Sequence, residues 1–165
     1  MSSSFHIKRL CVIGVGLIGG SLARALRQAG CVEVIVGAGR NKSQLQHAKS
    51  LGIIDEFDTD IAKAARNADV VVVAIPLGAM QSCFAALKDA VASNAIITDV
   101  GSAKQSVITA MQTAFGYLPP GFVPGHPIAG TEKSGVDASF AELFSQRRVI
   151  LTPQENTAAA AVTVV

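Results

Sequence analysis

The chain has 165 residues, half of them apolar, and a formal net charge of +2 with only 16% charged side chains. That length supports one sizeable core, and no Pro/Ser-rich linker divides it, so a single domain spanning 1–165 is expected. No basic run is long enough for nucleic acid or an anionic membrane surface, and no segment has the continuous apolarity of a transmembrane helix; a small molecule is the expected partner.

Leu10 to Ile13 reads as a short apolar strand. Gly14-Val15-Gly16-Leu17-Ile18-Gly19-Gly20-Ser21 follows it and opens a helix whose apolar residues Ile18, Leu22, Ala25, Leu26 and Ala29 recur at three- and four-residue steps up to Gly30. Strand, glycine turn and helix in that order give the three glycines separate roles. Gly14 permits the tight turn, Gly16 lets backbone approach a pyrophosphate, and Gly19 allows close helix-on-strand packing, with Leu17 and Ile18 in the first helical turn. A glycine turn without a ligand is the plain alternative. A signal peptide, suggested by Lys8 and Arg9 before the apolar run, fails because glycines break that run and Arg24 and Arg27 follow.

Val32 to Val36 reads as a second strand and Ser43 to Leu51 as a helix closed by Gly52. A dinucleotide protein selective for NAD carries a ribose-binding Asp or Glu about twenty residues past the fingerprint, at the tip of this strand. Here the chain reads Val36-Gly37-Ala38-Gly39-Arg40-Asn41-Lys42, with no carboxylate. Gly39 leaves room for a 2′-phosphate, and Arg40, with Asn41 and Lys42 nearby, offers charge-assisted hydrogen bonds, which favours NADP over NAD. Alternatively, Arg40 is a solvated loop residue or stacks on adenine without selecting a cofactor.

Asp69 to Ile75 is β-branched on both faces and reads as a buried parallel strand ending at Pro76. Ile75, Pro76 and Leu77 would bring backbone near the middle of a bound dinucleotide, although Pro76 need only end the strand. Ala79 to Ala90 reads as a helix, Ala95 to Val100 as a strand and Lys104 to Ala114 as a helix. Between the last two, Asp99, Gly101 and Ser102 fall at a helix N-terminus, where Ser102 serves equally well as a cap or a substrate contact. Phe122 to Pro124 and Val149 to Leu151 suggest short edge strands. The alternation implies an α/β, Rossmann-type, doubly wound and mostly parallel sheet with helices on both faces. Segments after Ile13, Val36, Ile75, Val100 and Val123 should then converge. The tail starts like a helix capped at Asn156 or Thr157 and stops at Val165 without a C-terminal signal, as expected of a piece of a longer protein.

Cys11, Cys31 and Cys83 are odd in number and lack C-x-x-C spacing, so buried reduced thiols and a cytoplasmic location are expected. No His/Cys/Asp/Glu group has ligand spacing, and no metal site is expected. His6 and His47 carry no assigned role. His126 differs. It lies between Gly125 and Pro127 in an irregular segment, where a neutral imidazole can take a proton from a substrate hydroxyl while hydride leaves for a nicotinamide, although a loop histidine taken alone is more often structural.

The turn at Gly14–Ser21, Leu51-Gly52-Ile53-Ile54-Asp55, Asp99-Val100-Gly101-Ser102, His126-Pro127-Ile128-Ala129-Gly130-Thr131-Glu132 and Val149-Ile150-Leu151-Thr152-Pro153 together resemble the prephenate/arogenate dehydrogenases of tyrosine biosynthesis. The resemblance implies oxidation of a cyclohexadienol ring hydroxyl, hydride transfer to the nicotinamide, and loss of the ring carboxylate as CO2. His126 matches the family's catalytic histidine, Ser102 the serine that orients hydroxyl and histidine, and Thr131 and Glu132 the segment lining the substrate entrance. Many members carry an acidic residue where this chain has Gly39, so the departure again favours NADP, with NAD as the other possibility. The family also has a helical C-terminal domain that forms a homodimer and contacts the substrate carboxylates; residues 1–165 are expected not to include it. The chain alone is therefore expected to bind dinucleotide with little or no turnover and to expose apolar surface. Two other readings are kept open: an NADP-dependent dehydrogenase of the β-hydroxyacid or imino-acid reductase type, and a non-catalytic dinucleotide-sensing module.

Overall fold

The β-branched runs of the sequence form strands, and the periodic segments between them form helices. A computed structural model of the chain describes residues 6–165. Its elements are β1 (Ile7–Ile13), α1 (Leu17–Gln28), β2 (Val32–Ala38), α2 (Lys42–Ser50), β3 (Glu56–Asp58), α3 (Ile61–Ala65), β4 (Val70–Val73), α4 (Met80–Leu87), β5 (Ile96–Asp99), α5 (Lys104–Phe115), β6 (Phe122–Val123), β7 (Gly125–Pro127), β8 (Val149–Leu151) and α6 (Ala159–Val164). Single 3-10 turns lie at Leu77–Ala79, Val136–Ala138 and Ala141–Phe144.

Six strands form one sheet in the order β3-β2-β1-β4-β5-β6, every pairing parallel. This is the doubly wound Rossmann arrangement, with its switch point between β1 and β4. Alternate side chains feed two cores. Leu10, Val12 and Ile35 pack with Ala23 of α1 and with Leu45 and Ala48 of α2. Cys11, Ile13, Val71 and Val73 pack on the other face with Phe84 of α4 and Met111 of α5. Ile13 pairs with both Ala38 and Val73, and Val73 pairs with Asp99, so the carboxyl ends of β1, β2, β4 and β5 come out level at one edge. No described helix is long and apolar enough to cross a membrane.

Several local expectations need correction. The β3–α3 pair was not legible in the apolar pattern: β3 has three residues and α3 five, the latter capped by the Asp60 carboxylate accepting from Lys63 N at 3.2 Å. The stretch after Pro76 begins as a 3-10 turn and becomes α-helical only at Met80. Phe122–Val123 does join the main sheet, but Val149–Leu151 pairs antiparallel with β7 in a separate two-stranded sheet. The last helix starts after Ala158 without a side-chain cap. Asn156 instead donates its side-chain amide to Leu118 O, and Thr157 Oγ1 accepts from Gln154 N at 2.8 Å.

Candidate functional site

The edge where the strands end carries an open cleft of about 1280 Å³. Its floor is the turn Gly14–Gly16, one side is Gly39–Leu45 and His47, and the other is Ala74–Pro76 with Ser82 and Cys83. Gly14 sits at φ +90°, and a Cβ built there would lie 2.2 Å from Ala74 O, so a side chain is excluded by both conformation and space. Gly19 is fixed by proximity alone, since its Cβ would fall 2.1 Å from Gly14 O. A Cβ at Gly16 would meet nothing within 4 Å, which leaves an open cradle at the start of α1. No side chain caps that helix. Its first amides and the positive end of its dipole therefore remain available to an anion, as a pyrophosphate requires.

Gly39 and Arg40 line the far side, where Arg40 is exposed. A Cβ at Gly39 would touch only Leu45 Cδ2 at 3.8 Å, so the fold does not demand glycine here. Asn41 is partly engaged in holding α2, because its side-chain oxygen caps that helix, accepting from Gln44 N at 3.2 Å and Ser43 Oγ at 2.7 Å. Among the described residues, Arg40, Lys42 and His47 are the basic side chains of the lining, and Asp137 is its one carboxylate. Gly135–Asp137 closes the cleft wall from far along the chain, with Asp137 Oδ1 2.7 Å from His47 Nε2. This wall is not foreseeable from the sequence, in which His47 carries no role. Only the left-handed Gly135 (φ +85°) hints that the chain turns there.

Ile75 and Pro76 border the cleft, whereas Leu77 lies beyond it in a shallower groove of about 410 Å³ against α5. Leu17, Ile18, Asp99, Gly101, Ser102, His126, Thr131 and Glu132 also fall outside the cleft's lining. Leu17 and Ile18 are half-buried in the first turn of α1. Thr131 and Glu132 are exposed, and Thr131 Oγ1 accepts from Lys133 N at 3.2 Å. Ser102 is not a helix cap: Ala103 occupies that position and Ser102 is exposed. His126 is not on an irregular segment either. It pairs with Ile150 across the β7–β8 ladder, flanked by Ile128 N donating to Arg148 O and Thr152 N donating to Pro124 O, and its side chain is half-buried.

Asp99, at the end of β5, is buried and held by its own neighbours. Its residue is 2% exposed, and its carboxylate accepts from Gly101 N at 2.8 Å, Gly125 N at 3.1 Å and Lys104 Nζ. Lys104 Nζ also donates to Gly125 O at 2.5 Å. Burial lowers the Lys104 ammonium from its usual 10.5, opposed by the hydrogen bond and charge of Asp99. Lys104 had no assigned role; an Asp and a Lys five residues apart around a strand-to-helix turn were its only sequence signal.

Burial pushes both the Cys11 and Cys83 thiols up to about 12, with the neighbouring Cys83 adding to the effect on Cys11. Cys31 is only half-buried, which departs from the expectation of three buried thiols. No group of three or more potential metal ligands occurs among the described residues.

The family model described as the prephenate dehydrogenase nucleotide-binding domain matches residues 22–165. The cyclohexadienyl dehydrogenase of Zymomonas mobilis is 44% identical over 158 residues, covering 94% of this chain and 52% of that protein. The crystal structure of prephenate dehydrogenase from A. aeolicus, in complex with hydroxyphenyl propionate and NAD+, superposes with a TM-score of 0.88 at 34% identity, covering 98% of this chain and 56% of that one. Synechocystis arogenate dehydrogenase gives a TM-score of 0.84 at 30% identity, covering 94% and 53% respectively. The chain thus spans about half the length of these relatives.

Proposed function

The chain belongs to the prephenate dehydrogenase family, as its nucleotide-binding domain, and from that premise we propose that it serves an NADP-preferring prephenate or arogenate dehydrogenase. The observation that carries the cofactor half is the cleft: an uncapped helix start over an open Gly16, with no carboxylate at the tip of β2. An acidic side chain would fit at Gly39, so its absence is a matter of charge and space for a 2′-phosphate rather than of backbone geometry. Arg40, which lines this side of the cleft, would pair with that phosphate. NAD, which the A. aeolicus protein holds, would lack this contact.

Gly14 and Gly16 with the first amides of α1 would hold the pyrophosphate, and Ile75 and Pro76 would pack near the dinucleotide's middle. When bound, NADP supplies the hydride acceptor. His126 takes the proton of the ring hydroxyl as the C–H bond at that carbon breaks and its electron pair leaves as hydride. Ser102 orients the hydroxyl, the ring carboxylate departs as CO2 while the C–C electron pair aromatises the ring, and the resulting phenolate takes the proton back from His126 to leave a phenol. Thr131 and Glu132 stand at the entrance. The protein's work is to orient the reactants and hold one proton acceptor, because aromatisation itself drives the reaction.

Ile128, Val149 and Ile150, each nearly half exposed around His126, form an apolar surface suited to cover by further chain. We place the helical substrate domain there, the homodimer through it, and the protein in the cytoplasm. The test is formation of reduced nicotinamide by the full-length protein from prephenate and from arogenate. His126→Asn should lower turnover by about 10²- to 10⁴-fold, the range for loss of a general base. Unchanged turnover would favour a different dehydrogenase, and a cofactor site insensitive to either cyclohexadienol would favour a sensing module.

A further inference from the structure

The parallel ladder between β5 and β6 ends at Thr98–Val123. Two residues on, Gly125 has no strand partner on that side, yet both of its backbone polar groups are held. Its N–H donates to Asp99 Oδ1 at 3.1 Å, and its carbonyl accepts from Lys104 Nζ at 2.5 Å. Lys104 also donates to Asp99 Oδ2, the oxygen that accepts from Gly101 N. The Asp99 side chain is fully buried and that of Lys104 is 14% exposed. A Cβ at Gly125 would fall 3.0 Å from Asp99 O, so the strand lies tight against the pair.

We propose that the Asp99–Lys104 pair is a positioning device for His126, and through Gly101 for Ser102; this rests on the functional reading above. The pair replaces the missing β5 ladder on one edge of β7 while β8 holds the other edge. His126 follows Gly125 directly, so the direction of its ring inherits whatever freedom Gly125 has. One carboxylate thereby sets the relative placement of the backbone after β5 and the backbone entering β7. A buried ion pair is a poor source of stability compared with apolar packing, and its value here lies in fixing geometry. A displacement of about 1 Å at a reacting group can lower turnover by about 10²-fold.

The test is a thermodynamic cycle on the full-length protein, using prephenate or arogenate with saturating NADP. Asp99→Asn/Lys104→Met removes both charges together and so avoids stranding either one. Turnover should fall about ten- to a hundred-fold, with the cofactor dissociation constant held within about twofold. In a His126→Asn background the same double change should cost less than about threefold, because a device that acts through His126 has nothing left to position. An equal loss in both backgrounds would overturn the inference and mark the pair as merely structural. A full rate in His126→Asn itself would overturn the functional reading, and this inference with it. Should the double variant fail to fold, Lys104→Arg supplies the same cycle with the charge kept, since a planar fork cannot reproduce the ammonium's contacts with both Asp99 and Gly125 O.

Discussion

Alanine at each of the three fingerprint glycines should separate folding from binding. Gly14→Ala places a Cβ 2.2 Å from Ala74 O and retains φ +90°. A carbon and a carbonyl oxygen need about 1 Å more, so β1 and the segment after β4 must part; overpacking costs about 1–3 kcal/mol. The left-handed backbone adds about 1–2 kcal/mol. The sum, about 4 kcal/mol, corresponds to a fall in Tm of roughly 10 °C for a chain of this size. Gly19→Ala gains about 1 kcal/mol of helix propensity but sets a Cβ 2.1 Å from Gly14 O, and should be destabilised by about 2 kcal/mol. Gly16→Ala meets nothing within 4 Å and has φ −108°, so its Tm should stay within about 3 °C of the parent. Yet its methyl occupies the cradle, and dinucleotide affinity should fall at least about tenfold, an effect of about 1.4 kcal/mol. Thermal unfolding by circular dichroism and calorimetric titration read the two properties separately. Unfolding of Gly16→Ala as early as Gly14→Ala, or parent-like binding by it, would refute the reasoning.

Acid stability should report on Asp55. Burial, the largest single influence, pushes its carboxyl up, but the hydrogen bonds from Arg27 and Ile35 N and the charges of Arg27 and Lys49 together leave it below 3.8. The folded state thus favours the carboxylate, and its contribution is complete above 3.8 and lost as pH falls through the lower folded value. The Tm gap between parent and Asp55→Asn should shrink below that pH; a constant gap would argue against the ion pair. With Cys11 and Cys83 held up to about 12 and buried, a thiol reagent at neutral pH should label Cys31 first, and the other two only on unfolding. Rapid labelling of Cys83 in the native chain would show that its side of the cleft opens. Asp137→Asn removes the cleft's one carboxylate and should tighten NADP binding about two- to fivefold, more at low salt than at high. Weaker binding would assign Asp137 a holding role through His47.

The first strand, its glycine turn and α1 were legible because local pattern determines them: the apolar run, the φ +90° at Gly14 and the close approach at Gly19 all lie within one short segment. Val70–Val73 was equally plain, since four β-branched residues in a row suit only a strand buried on both faces. Short elements were not. Glu56–Asp58 and Gly125–Pro127 owe their strand character to partners distant in sequence, Val36–Ala38 and Val149–Leu151. The same holds within the site. Nothing near His47 announces Asp137, ninety positions away, and nothing near Gly125 announces that Asp99 and Lys104 hold its backbone. Ser102, Asn156 and Thr157 carried good capping chemistry that tertiary contacts and chain direction redirected or left unused.

Calorimetric titration of the chain with NADP and, separately, with NAD, in parent and Arg40→Ala forms, tests the central claim most directly. The account predicts NADP binding at least about tenfold tighter than NAD, with Arg40→Ala weakening NADP alone by a comparable factor. NAD binding as tightly as NADP, or no dinucleotide binding at all, would contradict it.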